Sequence, residues 1–250
     1  MSGEEFVGTM PVAERQRFDE AALERYLAAH LPAFRGPLRV EQFRGGQSNP
    51  TFLLTDGSGA RRVLRRKPAG VLLPSAHAVD REFRLTRALH GTTVPVAQPL
   101  ILCEDAGVIG TMFYVMSYVA GRNFWDPTLP GLAAHERGAI YDEMNRVMVE
   151  LHAIDYRAHG LGDYGKPGNY FARQIGRWSK QYRASQTEHI EAMERLLTWL
   201  PANLPPDQET TLVHGDYRLD NMIFHPVEPR LLAVVDWELS TLGSPLADFS

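Results

Sequence analysis

The sequence predicts an α+β fold, a small antiparallel β-rich lobe followed by a larger, mostly helical one. Three observations carry this. Short strand-like runs follow one another between Leu38 and Arg66, a single helical run interrupts the strands before Gly121, and helical periodicity dominates after it. Strands and helices that do not alternate argue against a parallel α/β sheet.

Taken in order, Asp19 can cap a first helix whose apolar residues Leu23, Tyr26, Leu27 and Leu31 recur at helical spacing until Pro32 stops it. Residues 38–43, 50–55 and 60–66 read as strands, with Asp56-Gly57-Ser58-Gly59 as the hairpin turn between the last two. Residues 79–89 return to helical spacing through Phe83, Leu85 and Leu89. Residues 96–103 and 111–119 are the fourth and fifth strands, around a turn at Asp105-Ala106-Gly107. The first lobe is thus expected over residues 1–116 and the second over 117–250. In the second, residues 133–153 and 170–200 read as long helices, and 211–213 and 231–235 as short strands.

Composition excludes several classes of function. The 250 residues carry 26 basic and 30 acidic side chains, a formal net charge of −4, so no general attraction to nucleic acid or anionic membrane is expected. An anionic ligand must be held by a local site. Cys103 is the one cysteine, so no internal disulfide forms, and its apolar surroundings suit a buried, inert thiol. Residues 1–17 lack the apolar segment of a secretory signal, and no run approaches the roughly 20 apolar residues that span a bilayer. A reducing, cytoplasmic setting is expected.

The chemistry concentrates in His214-Gly215-Asp216-Tyr217-Arg218-Leu219-Asp220-Asn221 and in Asp236. Phosphoryl transfer to a hydroxyl needs positioning, metal ions that neutralise the phosphates, and a carboxylate that orients the attacking oxygen and accepts its proton. A carboxylate and an amide five residues apart on a tight loop divide that work: Asp216 faces the hydroxyl and Asn221 turns back to a metal. Asp236, at the end of the apolar run Leu231-Leu232-Ala233-Val234-Val235, supplies the second metal ligand. The other reading of the segment is a surface hairpin whose Asp and Asn stabilise turns.

This composite pattern resembles the aminoglycoside phosphotransferase family, whose fold is similar to that of protein kinases. Kinases carry H-R-D with Asn at the same spacing, followed by D-F-G. Gly215 and Asp236-Trp237-Glu238 depart from that pattern and argue against a protein kinase. The resemblance implies a bilobal kinase-like fold that uses ATP and Mg²⁺. Arg218, two residues after Asp216, either contacts the transferring phosphate or makes a surface salt bridge.

In the first lobe the resemblance makes residues 43–50 the loop over the phosphates, through Gly45, Gly46, Ser48 and Asn49. Arg65 stands where kinases carry a strand lysine, with Glu82 as its ion-pair partner; Arg66 and Lys67 are alternatives to Arg65. The hinge is implied at residues 116–119, where backbone groups of Ser117 and Val119 would hold adenine, and Gly121 lets the chain turn into the second lobe. Gly160-Leu161-Gly162-Asp163-Tyr164-Gly165 matches a dinucleotide fingerprint literally, but no strand precedes it and no helix opens from it, so it is discounted.

Leu73-Pro74-Ser75-Ala76-His77, Arg81-Glu82-Phe83, the region around Trp178 and residues 236–243 are similar to one subgroup in particular. It occurs alone in bacteria and fused ahead of an acyl-CoA dehydrogenase in larger proteins. The implied acceptor is a small-molecule hydroxyl, such as that of a hydroxyacyl-CoA. Asp248 matches the Asp that braces the catalytic loop in kinase-like folds. The chain stops soon after it, so a truncated helical lobe is expected, completed by a dimer mate or a partner protein. Two alternatives stand beside a small-molecule kinase. One is a non-catalytic nucleotide-binding module; the other is an aminoglycoside phosphotransferase, which would need a strongly acidic acceptor cleft.

Overall fold

The structure is a computed structural model that describes residues 8–45, 49–68, 78–206 and 209–249. Asp19 accepts a hydrogen bond from Ala22 N at 2.8 Å and so opens α1 (Glu20–His30). A six-stranded antiparallel sheet follows: β1 (Thr9–Met10), β2 (Arg39–Phe43), β3 (Thr51–Thr55), β4 (Arg61–Arg66), β5 (Pro99–Cys103) and β6 (Phe113–Ser117). The strand order is β1-β2-β3-β4-β6-β5. Five strands were expected. The sixth, β1, adds only two residues at the edge, pairing Thr9 with Phe43 and Met10 with Gln42, too short to leave a period in sequence.

The register of β4 decides which side chains meet. Leu64 pairs with Phe52 on one side and Val115 on the other. All three are fully buried with Leu23 and Leu27 of α1. Each such side chain contributes about 1.5–3 kcal/mol. Arg65 has the opposite parity and lies beside Tyr114 in register. That face is covered by α2 (Val79–Leu89), which packs against β5 and β6 and buries Glu82.

Later elements are α3 (Ala134–His152), α4 (Tyr170–Ser185), α5 (Glu191–Ala202), β7 (Thr211–Val213), β8 (Met222–Phe224), β9 (Leu231–Val234) and β10 (Thr241–Gly243). The helix expected over residues 170–200 is two helices. Ser185 turns its hydroxyl back onto the carbonyls of Gln181 and Tyr182, and Gln186 is extended. Arg183 of α4 pairs with Glu194 of α5. Eleven residues in one straight helix would hold their backbones about 16 Å apart, so this pair requires the reversal. Strand β10 was not foreseen; it pairs antiparallel with β7, while β8 and β9 form a separate hairpin.

The chain forms two compact units, Met1–Glu150 with Asp216–Leu239, and Leu151–Gly215 with Ser240–Ser250. In the second, Leu161, Tyr164, Leu212, Val213 and Leu242 are buried, and Tyr164 Oη lies 2.8 Å from Ser240 Oγ. The discounted glycine-rich run therefore serves packing. A Cβ on Gly165 would stand 2.5 Å from Thr241 Oγ1.

The β3–β4 hairpin hangs on Asp56. Its Oδ1 accepts from Ser58 N, Ser58 Oγ and Ala60 N at 2.6–3.0 Å, and its Oδ2 accepts from Arg62 at 2.8 Å. Burial alone would raise this carboxyl, but the hydrogen bonds from Ser58 and Arg62 outweigh it and hold the group well below the usual carboxylate range. A depressed folded-state value gives stability that is present above the unfolded pKa, about 4, and is lost as pH falls below it. Asp56→Asn is expected to remove this part of the acid-unfolding slope. Asp56→Ala is expected to cost about 3 kcal/mol in urea unfolding, because it strands Arg62.

Candidate active site

Arg65 organises one polar cluster within the first unit. Its Nε lies 2.9 Å from Glu82 Oε2, as a charge contact rather than an aligned hydrogen bond. Its Nη2 lies 2.5 Å from Asp236 Oδ1 and 3.8 Å from Glu238 Oε2. Tyr114 donates its hydroxyl to Glu82 Oε2 at 3.1 Å, and Asn49 donates its amide to Glu82 Oε1 at 2.9 Å and to Glu238 Oε2 at 3.2 Å. Burial opposes charge on Arg65, but Glu82 and Asp236 more than restore it and raise its pKa. Burial pushes Glu82 up to about 7, against the pull of Arg65 and with the repulsion of Asp236 and Glu238. Burial and the Glu82 charge also raise the Tyr114 phenol well above its ordinary value.

The cluster joins four residues expected from sequence: Asn49, Arg65, Glu82 and Asp236. The alternatives to Arg65 are engaged elsewhere. Arg66 donates to Gln16 and lies over the rings of Phe18 and Phe52, while Lys67 Nζ is 3.6 Å from Asp80. Asn49 was expected to face phosphates, and its amide instead ties the end of that loop to Glu82 and Glu238. Tyr114 and Glu238 were missed. Glu238 had one signal, its place two residues after Asp236; Tyr114, an aromatic in an apolar strand, had none.

A second constellation lies on the loop between β7 and β8. Asn221 Nδ2 donates to Asp216 Oδ2 and to Asp216 O, both at 2.9 Å. The amide oxygen, the atom a metal would take, therefore lies on the other edge of that side chain. Arg218 is 61% exposed, clamps Asp220 through two nitrogens and lies 4.0 Å from Asp216 Oδ1. Tyr217 buries its ring and donates to Met144 O at 2.8 Å, and Leu219 is buried beside it in sequence. Asn123 was also missed: its amide donates to Asp220 O at 2.7 Å and Met222 O at 2.9 Å, bracing the loop from behind.

Gly121 was expected to supply conformational freedom, but its role is close approach. A Cβ there would stand 2.2 Å from Phe224 O. With no side chain at 121, Arg122 N can donate to Phe224 O at 2.7 Å. Strand β9 delivers Asp236 under equal restraint. Val234 N donates to Pro95 O and Val235 N to Asn221 O, both at 2.9 Å, and Asp236 itself adopts φ +63°. A left-handed, non-glycine carboxylate costs about 1–3 kcal/mol, and such residues cluster at functional sites.

The residues just before Asp216 belong to the second unit. Asp248 is buried and accepts from His214 N at 2.8 Å, Gly215 N at 2.7 Å and His152 Nε2 at 3.0 Å. The brace expected of Asp248 is thus made to backbone, and His152 is its orienting partner. Gly215 adopts φ +83°, which accounts for a glycine where kinases carry arginine.

Gly46 and Ser48 lie outside the described residues; Gly45, Ser117 and Val119 stand apart from the Arg65 cluster. Ser117 N donates to Gln98 O and Ser117 Oγ accepts from Gln98 N, so the Ser117 amide N–H is already taken. Val119 is half-buried, two residues past β6. Among the described residues, no group of three or more His, Cys, Asp and Glu forms a metal cage. A carboxylate and an amide oxygen are donor types that suit Mg²⁺, an ion that keeps waters and phosphate oxygens as its other ligands.

Comparison with known proteins bears on the family and the fold. A family model described as the phosphotransferase enzyme family matches residues 39–250. Acyl-CoA dehydrogenase family member 10 of Mus musculus is 52% identical over 241 residues, a match covering 96% of this chain. The chain spans 22% of that protein's length. A crystal structure from Ralstonia eutropha JMP134, provisionally assigned as an aminoglycoside phosphotransferase, is 57% identical with a TM-score of 0.82, covering 93% of this chain and 68% of that one. The streptomycin–ATP–APH(2″)-IIa ternary complex shares the fold at 21% identity, with a TM-score of 0.65 over 93% of this chain and 74% of that one. The α+β architecture with its antiparallel sheet is therefore the kinase-like one of these phosphotransferases.

Gly215→Arg, which restores the protein-kinase residue, is expected to destabilise the fold by about 1–2 kcal/mol, since a side chain at this φ crowds the backbone. Chemical denaturation checks it; an unchanged midpoint would mean that residue 215 does not hold this conformation.

Proposed function

The chain belongs to the phosphotransferase enzyme family, and from that premise we propose that it is an ATP- and Mg²⁺-dependent small-molecule kinase with Asp216 as its base. The observation that carries the reading is the lock between Asn221 and Asp216. One amide nitrogen holds Asp216 Oδ2 and the Asp216 carbonyl, at the five-residue spacing the chemistry requires. Asp216 Oδ1 is then the edge that accepts the proton of the attacking hydroxyl, as the new O–P bond forms and the bond to the leaving diphosphate breaks.

Asn221 and Asp236 would hold Mg²⁺, which when bound neutralises charge on the phosphates. Gly45, Gly46 and Ser48 would line the phosphates, and the Ser117 carbonyl and Val119 would meet the adenine. Arg65, paired with Glu82, would reach the phosphates from β4. Arg218 would contact the transferring phosphoryl group. Its tie to Asp220 is exposed, and exposed pairs contribute only about 0.2–1 kcal/mol, so releasing it is cheap.

The acceptor is proposed to be a hydroxyl on a small molecule. The name of the mouse relative supports a hydroxyacyl-CoA, and the family's solved members keep an aminoglycoside as the alternative. A second reading, a nucleotide-binding module acting through a larger protein or a dimer mate, is favoured by the 22% of its relative that the chain spans. No helix among the described residues is long and apolar enough to cross a membrane. A cytoplasmic setting is part of the proposal, and the thiol of Cys103 is buried.

Asp216→Asn is expected to lower turnover by about 10²–10⁴-fold while calorimetry shows MgATP binding retained. A screen of hydroxyacyl-CoAs, sugars, amino alcohols and aminoglycosides supplies the acceptor. Full activity in Asp216→Asn would remove the base assignment, and MgATP binding without transfer to any acceptor would favour the module.

A further inference from the structure

Three carboxylates converge on one guanidinium in the Arg65 cluster, and they are not equivalent. Glu82 is buried and held by Arg65, Tyr114 and Asn49. Asp236 and Glu238 both face the same nitrogen, Arg65 Nη2, at 2.5 Å and 3.8 Å. Glu238 is therefore beyond hydrogen-bonding distance of that nitrogen. Its Oε2 is kept there by the amide of Asn49, which is 1% exposed. The short turn that carries it, Trp237–Leu239, is anchored by buried Trp237, whose Nε1 donates to Val234 O at 3.0 Å, and it packs against α2.

Asp236 has two demands on its carboxylate, the guanidinium it holds here and the metal it is proposed to hold. If it turns away, Arg65 keeps Glu82 at Nε but its Nη2 loses its near acceptor, and a buried donor left unsatisfied is costly. We propose that Glu238 is the alternate seat of Arg65 Nη2 and that Asn49 keeps this seat in place, so that Asp236 can turn to the metal without leaving that buried donor unpaired. Both are positioning residues, acting through Arg65. Arginine suits this and lysine would not, because the planar fork presents one nitrogen to Glu82 and another to the Asp236–Glu238 side at once. The inference rests on the kinase reading above and adds a role for the third residue of Asp236-Trp237-Glu238.

The test is the Mg²⁺ dependence of ATP binding, followed by calorimetry on the full chain, with metal-free ATP binding and Tm measured in parallel. Glu238→Gln is expected to raise the Mg²⁺ concentration for half-saturation by roughly 10- to 100-fold, as loss of a supporting residue around a metal site does. Metal-free ATP affinity is expected to stay unchanged. Asn49→Ser, which keeps all three carboxylates, is expected to shift the Mg²⁺ requirement in the same direction by a smaller factor, and it carries the test if Glu238→Gln does not fold. A purely structural tie would lower Tm and leave the Mg²⁺ requirement where it was, and that result would overturn the proposal. If the unsubstituted protein binds no MgATP, the kinase reading falls and takes this inference with it. If that protein does bind, and the variants titrate Mg²⁺ as it does, only the role of Glu238 and Asn49 falls.

Discussion

Arg65 is buried at the centre of a six-stranded sheet, where a charge is costly unless it is paired or hydrogen-bonded, and carboxylates pair it here. Breaking such a pair by removing one partner costs about 3–5 kcal/mol. That requirement draws in Glu82 from α2, Asp236 from the end of β9 and Glu238 from the turn after it. Asn49 then satisfies the other Glu82 oxygen, Oε1, and Tyr114 donates to the Oε2 that faces Arg65. Its neighbour Arg66 shows the contrast. It is equally buried but meets aromatic rings and the Gln16 carbonyl and amide, and burial lowers its pKa. Two adjacent arginines on opposite faces of one strand thus have different chemistry, and among the described residues only Arg65 shares a cluster with carboxylates.

Backbone restraint does for the loop from His214 to Asn221 what charge does for Arg65. Asp248 accepts from the two amides that precede Asp216 in the chain, and Asn123 donates to carbonyls at Asp220 and Met222. These supports satisfy main-chain groups, so they restrict where the loop runs and leave its side chains for other work. The Asn221 amide then orients Asp216. Gly121 and Gly215 permit the arrangement for different reasons, one by leaving room for Phe224 O and the other by adopting a left-handed backbone.

Much of the fold was legible because the period of the apolar residues changes where the structure changes. Strands β2, β3 and β4 and helices α1 and α2 lie within a residue or two of where the pattern places them. The misses share a cause: β1 is two residues long, β10 is three, and the break between α4 and α5 depends on a contact across the reversal. At the site, the loop from His214 to Asn221 was legible because its spacing is local. Asn123, 97 residues from Asp220, was not. Neither was Tyr114, whose hydroxyl matters only because β6 lies beside β4 in register.

The sequence by itself therefore determined the α+β architecture, the order of its principal strands and helices, and the loop on which the proposed chemistry rests. These follow from periodicity, turn residues and short spacings, all of which act over a few residues. Only the tertiary structure decided that Arg65, rather than Arg66 or Lys67, meets Glu82. It likewise placed Glu238 beside the same nitrogen as Asp236. A buried charge is paired by whatever the fold brings within about 4 Å, and strand register and helix packing set that distance.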